Sequence, residues 1–376
     1  APPGPGTTVK ARNSTSVYPI AYLPSIIGVV IARFLGLSKI GLLFLGRFFN
    51  LLSYCFGVMY AIKIIPFRKH MMTLIGLLPI CISLAGSFSY DVFVITLSFL
   101  FIAIVLKLSS SEEKVSSKKI ILPAVIAVLL APAKAIYLPL LLLILLIPIK
   151  KYENIKKVIP ILALSLLAAC LLWLSFNTQA LRRSIGSSVA VNVDAVTGQE
   201  IYTVSGNNEA KQLFTFSYIV QHIPQTILLI TKSFIEQSTV WIQGLVGGRL
   251  GEIIAINIEI GWGFIIPLML LVFLSTIDGT EKEYPLARRE RTLMNLIGVA
   301  VVCLSVLVCI SWTPINYTTI FGIQGRYFLP VLPLFLLSTH HKNLSWNNHP
   351  KEKILFGYCS IIILIVLQAF VIITRR

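Results

Sequence analysis

Residues 120–149 read IILPAVIAVLLAPAKAIYLPLLLLILLIPI, an apolar stretch broken by prolines and one charge, Lys134. As one kinked helix it would carry Lys150, Lys151, Lys156 and Lys157 to the outer side of a membrane. That opposes the tendency of lysine and arginine to stay in cytoplasmic loops. As a hairpin turning at Pro132-Ala133-Lys134 it keeps all four inside. Each arm then has about 14 residues, or about 21 Å of helix, against a hydrocarbon core of roughly 30 Å. The lysine cluster is the stronger signal. A hairpin is therefore expected, with Lys134 at the outer side.

The same bookkeeping extends in both directions. Upstream, 40–65 is long enough to cross and ends in Lys63, Arg68, Lys69 and His70, a basic inner cluster. Residues 71–85 go out, Gly86-Ser87-Phe88-Ser89-Tyr90-Asp91 turns outside, and 92–106 return to Lys107, Lys114, Lys118 and Lys119. Downstream, 158–176 goes out to a long polar segment, 177–251, with turns at Gly186-Ser187-Ser188, Thr197-Gly198 and Gly206-Asn207-Asn208. There, Ile223, Ile227, Ile230, Phe234 and Trp241 recur at helical spacing. They predict an amphipathic helix lying at the interface or packed inside a small outer domain. Residues 256–277 cross inward to Lys282, Arg288, Arg289 and Arg291; 293–312 go out and 327–337 return. A basic loop, 340–353, leads to the last span, 354–373. The alternation closes only if 20–37 does not cross fully, which puts Tyr18 outside and implies one more span upstream of Ala1.

The expected fold is all-α: a polytopic helical membrane protein of about ten spans plus an interfacial helix. Residues 1–19 form an extracytoplasmic lead, 20–176 transmembrane helices with a juxtamembrane helix, 177–255 an extracytoplasmic loop region, and 256–376 the C-terminal transmembrane helices. Composition agrees, at 56% hydrophobic and 12% charged. The runs are continuous rather than alternating, which excludes a β-barrel. Lysine and arginine number 32 against 15 acids, an excess that belongs to inner loops and not to a nucleic-acid surface. The six cysteines all lie in apolar runs without a CxxC pair and read as small buried hydrophobes. There is no HExxH, no phosphate-binding glycine loop and no nucleophile elbow.

Sorting the polar residues by side leaves a small outer set from separated parts of the chain: Tyr18, Tyr22, Asp91, Lys134, Tyr137, Arg249, Glu252, Glu259, Gln324, Arg326 and Tyr327. Gly322-Ile323-Gln324-Gly325-Arg326-Tyr327 enters an apolar helix from a glycine-flanked loop. A guanidinium there suits a phosphate headgroup, because its donors bind such oxygens in pairs. The plainer reading makes Arg326 a snorkelling anchor and Tyr327 a belt aromatic. Asp91 is either a helix start, facing unpaired N–H groups, or an acidic group for substrate hydroxyls or metal. Lys134 is either a turn cap or a second cation on a lipid phosphate. Arg47 reads as packing or an interface anchor. Transport is the competing class, although no internal repeat is visible.

Taken in order, Tyr18-Pro19 with Tyr22 and Pro24, Leu45-Gly46-Arg47 with Asn50, Ser87, Ser89 and Asp91, Pro132, Lys134 and Tyr137, and Gly325-Arg326-Tyr327-Phe328 with Pro330 resemble an uncharacterised bacterial membrane family, the domain of unknown function twenty-one forty-two. That family is similar to the GT-C membrane glycosyltransferases, which take sugars from polyprenyl-phosphate carriers on the extracytoplasmic side. The resemblance implies a multi-pass protein of the bacterial plasma membrane. It implies Asp91 in the place of a second acidic motif, with Lys134 and Arg326 as phosphate ligands. Tyr18, Tyr22, Tyr137, Gln324 and Tyr327 complete the expected substrate contacts. The family's Pro-Asp-Glu motif is not found and is expected upstream of Ala1. Some members of the class use a divalent metal, though no ligand set here demands one. The implied partners are a polyprenyl-phosphate-linked sugar, a glycan or lipid acceptor and membrane lipids. A flippase, or a polymerase or ligase of lipid-linked glycans, is the alternative.

Overall fold

The hairpin expected over 120–149 is present in the computed structural model, which describes residues 18–185, 189–193, 200–202, 210–211, 214, 216–250, 258–277, 286–311, 313–340 and 350–373. The outgoing arm is helix α6 (Ser117–Ala133) and the return arm is a 3₁₀ helix, Ala135–Leu146. Lys134 between them is extended. The feet of the hairpin are clasped: Val115 N–H donates to Lys151 O (2.8 Å) and Glu153 N–H to Val115 O (3.1 Å). The Lys151 ammonium donates to Ser109 O and, at 2.6 Å, to Ser111 O. The 3₁₀ winding lengthens the return arm. At about 2.0 Å per residue it spans roughly a third more than an α-helix of equal length.

Ahead of the hairpin come α1 (Leu23–Phe34), entered through a 3₁₀ turn at Pro19–Tyr22, and α2 (Lys39–Ile64). Gly36, at φ 66°, ends α1, and Ser38 caps α2 by accepting from Gly41 N–H at 3.3 Å. The two helices pack closely because Ser25, Gly28 and Ala32 face α2, where a side chain on Gly28 would overlap the Leu45 carbonyl. So 20–37 lies along the first half of α2. Then follow α3 (Lys69–Gly76) and α4 (Pro79–Ala85), broken at Pro79, and α5 (Asp91–Ser110).

Helix α5 is the axis of the core. Its apolar window is 61% buried, whereas that of α7 (Ile155–Ile185) is 11% buried. Phe99, Ile102, Leu140, Leu143, Met294 and Leu334 gather around α5 from several elements. The exposed Leu164, Leu167 and Leu171 of α7 form a surface suited to lipid, not water. Arg68, at φ 55° and fully buried, donates to Leu336 O, Leu337 O and Thr339 O at 2.6–2.8 Å, tying the inner cluster to the end of α12 (Leu332–Leu337).

The fold is helical, as expected, with only short strands between the apolar blocks. β1 (Val189–Val193) pairs antiparallel with β2 (Glu200–Tyr202) and β3 (Ala210–Lys211). β4 (Arg249–Leu250) pairs with β5 (Ile258–Glu259), which sets Arg249 opposite Glu259. After α8 (Phe216–Gln221), α9 (Ile223–Val246) buries Thr226, Leu229, Ser233, Trp241 and Gly244. The apolar stripe anticipated there is split: Trp241 packs inward, while Ile223, Ile227 and Phe234 stay exposed. Polar groups explain the rotation. Ser233 Oγ accepts from Ile320 N–H (2.7 Å) and Gln237 donates to Thr319 Oγ (2.9 Å), so that face turns to the protein.

The chain continues through α10 (Trp262–Leu274), α11 (Arg288–Ile310), a 3₁₀ turn at Gly325–Val331, α12 and α13 (Pro350–Ile373). Among the described residues four helices are long and apolar enough to cross a membrane: α2, α5, the Ile155–Phe176 part of α7, and α11. The other apolar helices are shorter. The expected lead, the three turns of the polar segment, Glu252 and most of the 340–353 loop lie outside the described residues.

Candidate functional site

Asp91 opens α5 just after the 86–90 turn. That turn is held from below by Asn50, a buried side chain of α2 that donates to Ser87 O (2.7 Å) and Ala85 O (3.4 Å). Within it, Ser87 Oγ accepts from Ser89 N–H (3.1 Å) and Ser89 Oγ accepts from Asp91 N–H (3.2 Å). Ser89 therefore takes the first N–H of α5, while Tyr90, at the N-cap position, offers no side-chain cap. The Asp91 carboxylate is left to face outward from the helix, towards two cations.

Lys134 Nζ donates to Asp91 Oδ1 at 2.5 Å, and Arg326 Nε lies 3.1 Å from Asp91 Oδ2. The Arg326 contact is an ion pair by distance, but its N–H points past the oxygen and has no acceptor among the described residues. Side-chain exposure rises from Asp91 (8%) through Lys134 (13%) to Arg326 (31%). The triad carries one excess positive charge and opens on the arginine side.

Each member is placed by its own element. Helix α6 ends at Ala133, directly after Pro132, and the extended Lys134 stands at the hairpin tip. Arg326 follows Gly325, which lies against α9: a side chain on Gly325 would overlap the Trp241 carbonyl and the Leu245 nitrogen. The facing residue is Gly244. Two glycines thus let the Gly325–Val331 turn seat directly on α9, where Gly322 (φ 85°) has already bent the loop.

Aromatic rings wall the triad. The Lys134 ammonium stands 4.2 Å from the Tyr327 ring centre and 5.0 Å from that of Tyr90. Tyr137, fully buried on the return arm, donates to Tyr327 O at 2.9 Å and locks the Gly325 turn to the hairpin. Tyr22 approaches Tyr90, with ring centres 6.0 Å apart. Burial and the Asp91 charge push the Tyr90 phenol well above its ordinary value, with Arg326 pulling the other way, so it stays a neutral donor.

Six of the eight expected site residues come together: Asp91, Lys134, Arg326, Tyr137, Tyr327 and, through Tyr90, Tyr22. Tyr18 is set aside from them. Its ring packs on Phe93 and Phe176, and its buried hydroxyl has no partner among the described residues. Gln324 precedes the Gly325 turn and leaves a buried Oε1 likewise unpartnered there. Arg47 places its guanidinium 5.9 Å from the Phe88 ring, the packing role. Two contributors were not foreseen. Tyr90 was legible only as a neighbour of Asp91, and Asn50, although part of the motif around Arg47, had no role assigned to it.

A divalent metal does not fit here. Both Asp91 oxygens face cations, and no three His, Cys, Asp or Glu side chains gather among the described residues.

Helices of membrane-crossing length around a half-buried ion triad define a helical membrane protein with a charged, aromatic-walled site. The family model DUF2142, described as a predicted membrane protein, matches residues 5–335, and the chain belongs to that family. No curated protein and no solved structure matches it.

Proposed function

We propose that this protein is a multi-pass enzyme of the bacterial plasma membrane with a GT-C-like arrangement of spans. It moves a sugar from a polyprenyl-phosphate donor to a cell-surface glycan or lipid acceptor on the outer face. The observation that supports this best is the convergence of Lys134 and Arg326 on one carboxylate from segments far apart in sequence. Two cations of different geometry, one compact and one forked, suit a phosphate that must be held and then released. Tyrosine faces beside them suit a sugar ring. The short helices pair into the further crossings that about ten spans require, α3 with α4 and the Gly325 turn with α12.

In this reading Asp91 orients or deprotonates the acceptor hydroxyl, which attacks the anomeric carbon with inversion. The carbon–oxygen bond to phosphate breaks, and Arg326 and Lys134 take up the charge that grows on the departing phosphate.

The test reconstitutes the full-length protein in liposomes with a mixture of radiolabelled polyprenyl-phosphate sugars and an envelope extract as acceptor. Transfer to the extract is expected from the wild type. Arg326→Ala and Asp91→Asn should each lower the rate at least about a hundredfold, the scale of a lost transition-state charge partner. Wild-type rates from both variants would remove the site assignment. Carrier movement across the bilayer without transfer would replace the enzyme by a flippase.

A further inference from the structure

Asp91 cannot meet an acceptor hydroxyl in the arrangement described. It is the least exposed member of the triad, and each of its oxygens already faces a cation. Lys134 and Arg326 are likewise engaged, and the group engaging them is that same carboxylate. The two halves of the proposed chemistry therefore occupy each other. Resting on the donor reading above, we infer that the lipid phosphate competes with Asp91 for Lys134 and Arg326, so that donor binding itself unlocks the carboxylate.

Charge and access set the order of events. Arg326 is the most exposed of the three, although its Nε is buried and makes no aligned hydrogen bond to Asp91 among the described residues. An incoming phosphate meets the arginine first. A guanidinium binds two phosphate oxygens at once, whereas here it holds one carboxylate oxygen at 3.1 Å. Lys134 can follow by rotating its flexible stem, because its aromatic walls at 4.2 and 5.0 Å attract the ammonium without fixing its direction. No covalent bond changes in this exchange: two cations pass from a carboxylate to a phosphate.

The exchange strengthens as reaction proceeds. A sugar-linked phosphodiester carries one negative charge, and the departing monoester carries about 1.5 to 2 near neutral pH. The competition is therefore won most firmly once the glycosidic bond is breaking. A site without donor keeps its carboxylate closed against water and stray hydroxyls.

The probe is farnesyl phosphate, with farnesol as the uncharged control, bound to the purified full-length protein in nanodiscs and followed by thermophoresis. Removing the competing carboxylate by Asp91→Asn should tighten farnesyl phosphate about tenfold and leave farnesol unchanged. Arg326→Ala should weaken farnesyl phosphate at least about tenfold. Asp91→Asn binding as the wild type does, or more weakly, while Arg326→Ala still loses affinity, overturns the competition but leaves the phosphate site standing. Equal affinity in wild type and Arg326→Ala overturns both.

A second measurement needs no variant. Dicyclohexylcarbodiimide labelling of Asp91 in the wild type, read by peptide mass spectrometry, should rise when farnesyl phosphate is added. An unchanged or reduced yield counts against release of the carboxylate and overturns the inference.

Discussion

At the scale of single residues, the question raised by Asp91 was whether it caps a helix or faces a ligand. Ser89 takes the Asp91 N–H, and the carboxylate pairs with Lys134 and Arg326. The two roles predict different losses. Ser89→Ala removes a cap and should cost about 1 kcal/mol. Lys134→Met leaves a largely buried carboxylate short of its closest partner and should cost about 3–5 kcal/mol. Thermal unfolding of both variants in one detergent ranks them, and equal losses would deny the triad its weight. Tyr327→Leu should fall between, at about 2 kcal/mol, since it deletes the ring nearest the ammonium while leaving the backbone carbonyl that Tyr137 uses. The three charged members of the site were legible in the sequence because charge is rare in apolar runs. Tyr90 and Asn50 were not, because a tyrosine at a membrane edge and an asparagine in a helix each have commoner explanations.

At the scale of elements, two seams carry the arrangement. One joins α1 to α2 through Gly28, and the other joins the Gly325 turn to α9 through Gly244. Gly325→Ala should be the more damaging substitution, since its new methyl would come within 2.0 Å of the Trp241 carbonyl, against 2.4 Å from the Leu45 carbonyl for Gly28. A loss above about 3 kcal/mol is expected, together with the loss of farnesyl phosphate binding, because Arg326 moves with the turn. A variant that melts as the wild type does would show the seam to be compliant. The hairpin of 120–149 was readable from the lysines that flank it. Its return arm was not, since leucine-rich runs do not announce 3₁₀ winding, which narrows the shortfall in length without closing it. On α9 the exposed Ile223, Ile227 and Phe234 are the face an interfacial helix turns to lipid, while Trp241 packs inward. Apolar spacing predicts a buried stripe in water, whereas beside lipid the polar residues of a helix turn towards the protein.

For the whole molecule, the sidedness argument is open to direct measurement. In a background without the six native cysteines, Gly86→Cys on the exposed turn before Asp91 should react with a membrane-impermeant maleimide in intact cells. Glu112→Cys, exposed at the other end of α5, should react only after permeabilisation. The reverse pattern would put the triad on the cytoplasmic face and end the proposed chemistry. The sequence was most informative at this scale: long apolar runs and clustered lysines constrain a path through a bilayer without any knowledge of packing. It could not say which runs are interior. Mean apolarity is similar for α5 and α7, yet one is the core of the protein and the other its rim.

The tightly wound return arm of the hairpin acts as a depth gauge for the ammonium at its tip. With its foot pinned by the clasp at Val115, the height of Lys134 is metered in steps of about 2 Å per residue. Deleting one leucine from Ala135–Leu146 should therefore sink the charge beyond reach of its carboxylate and reproduce the Lys134→Met melting curve, although every residue of the triad remains in the chain.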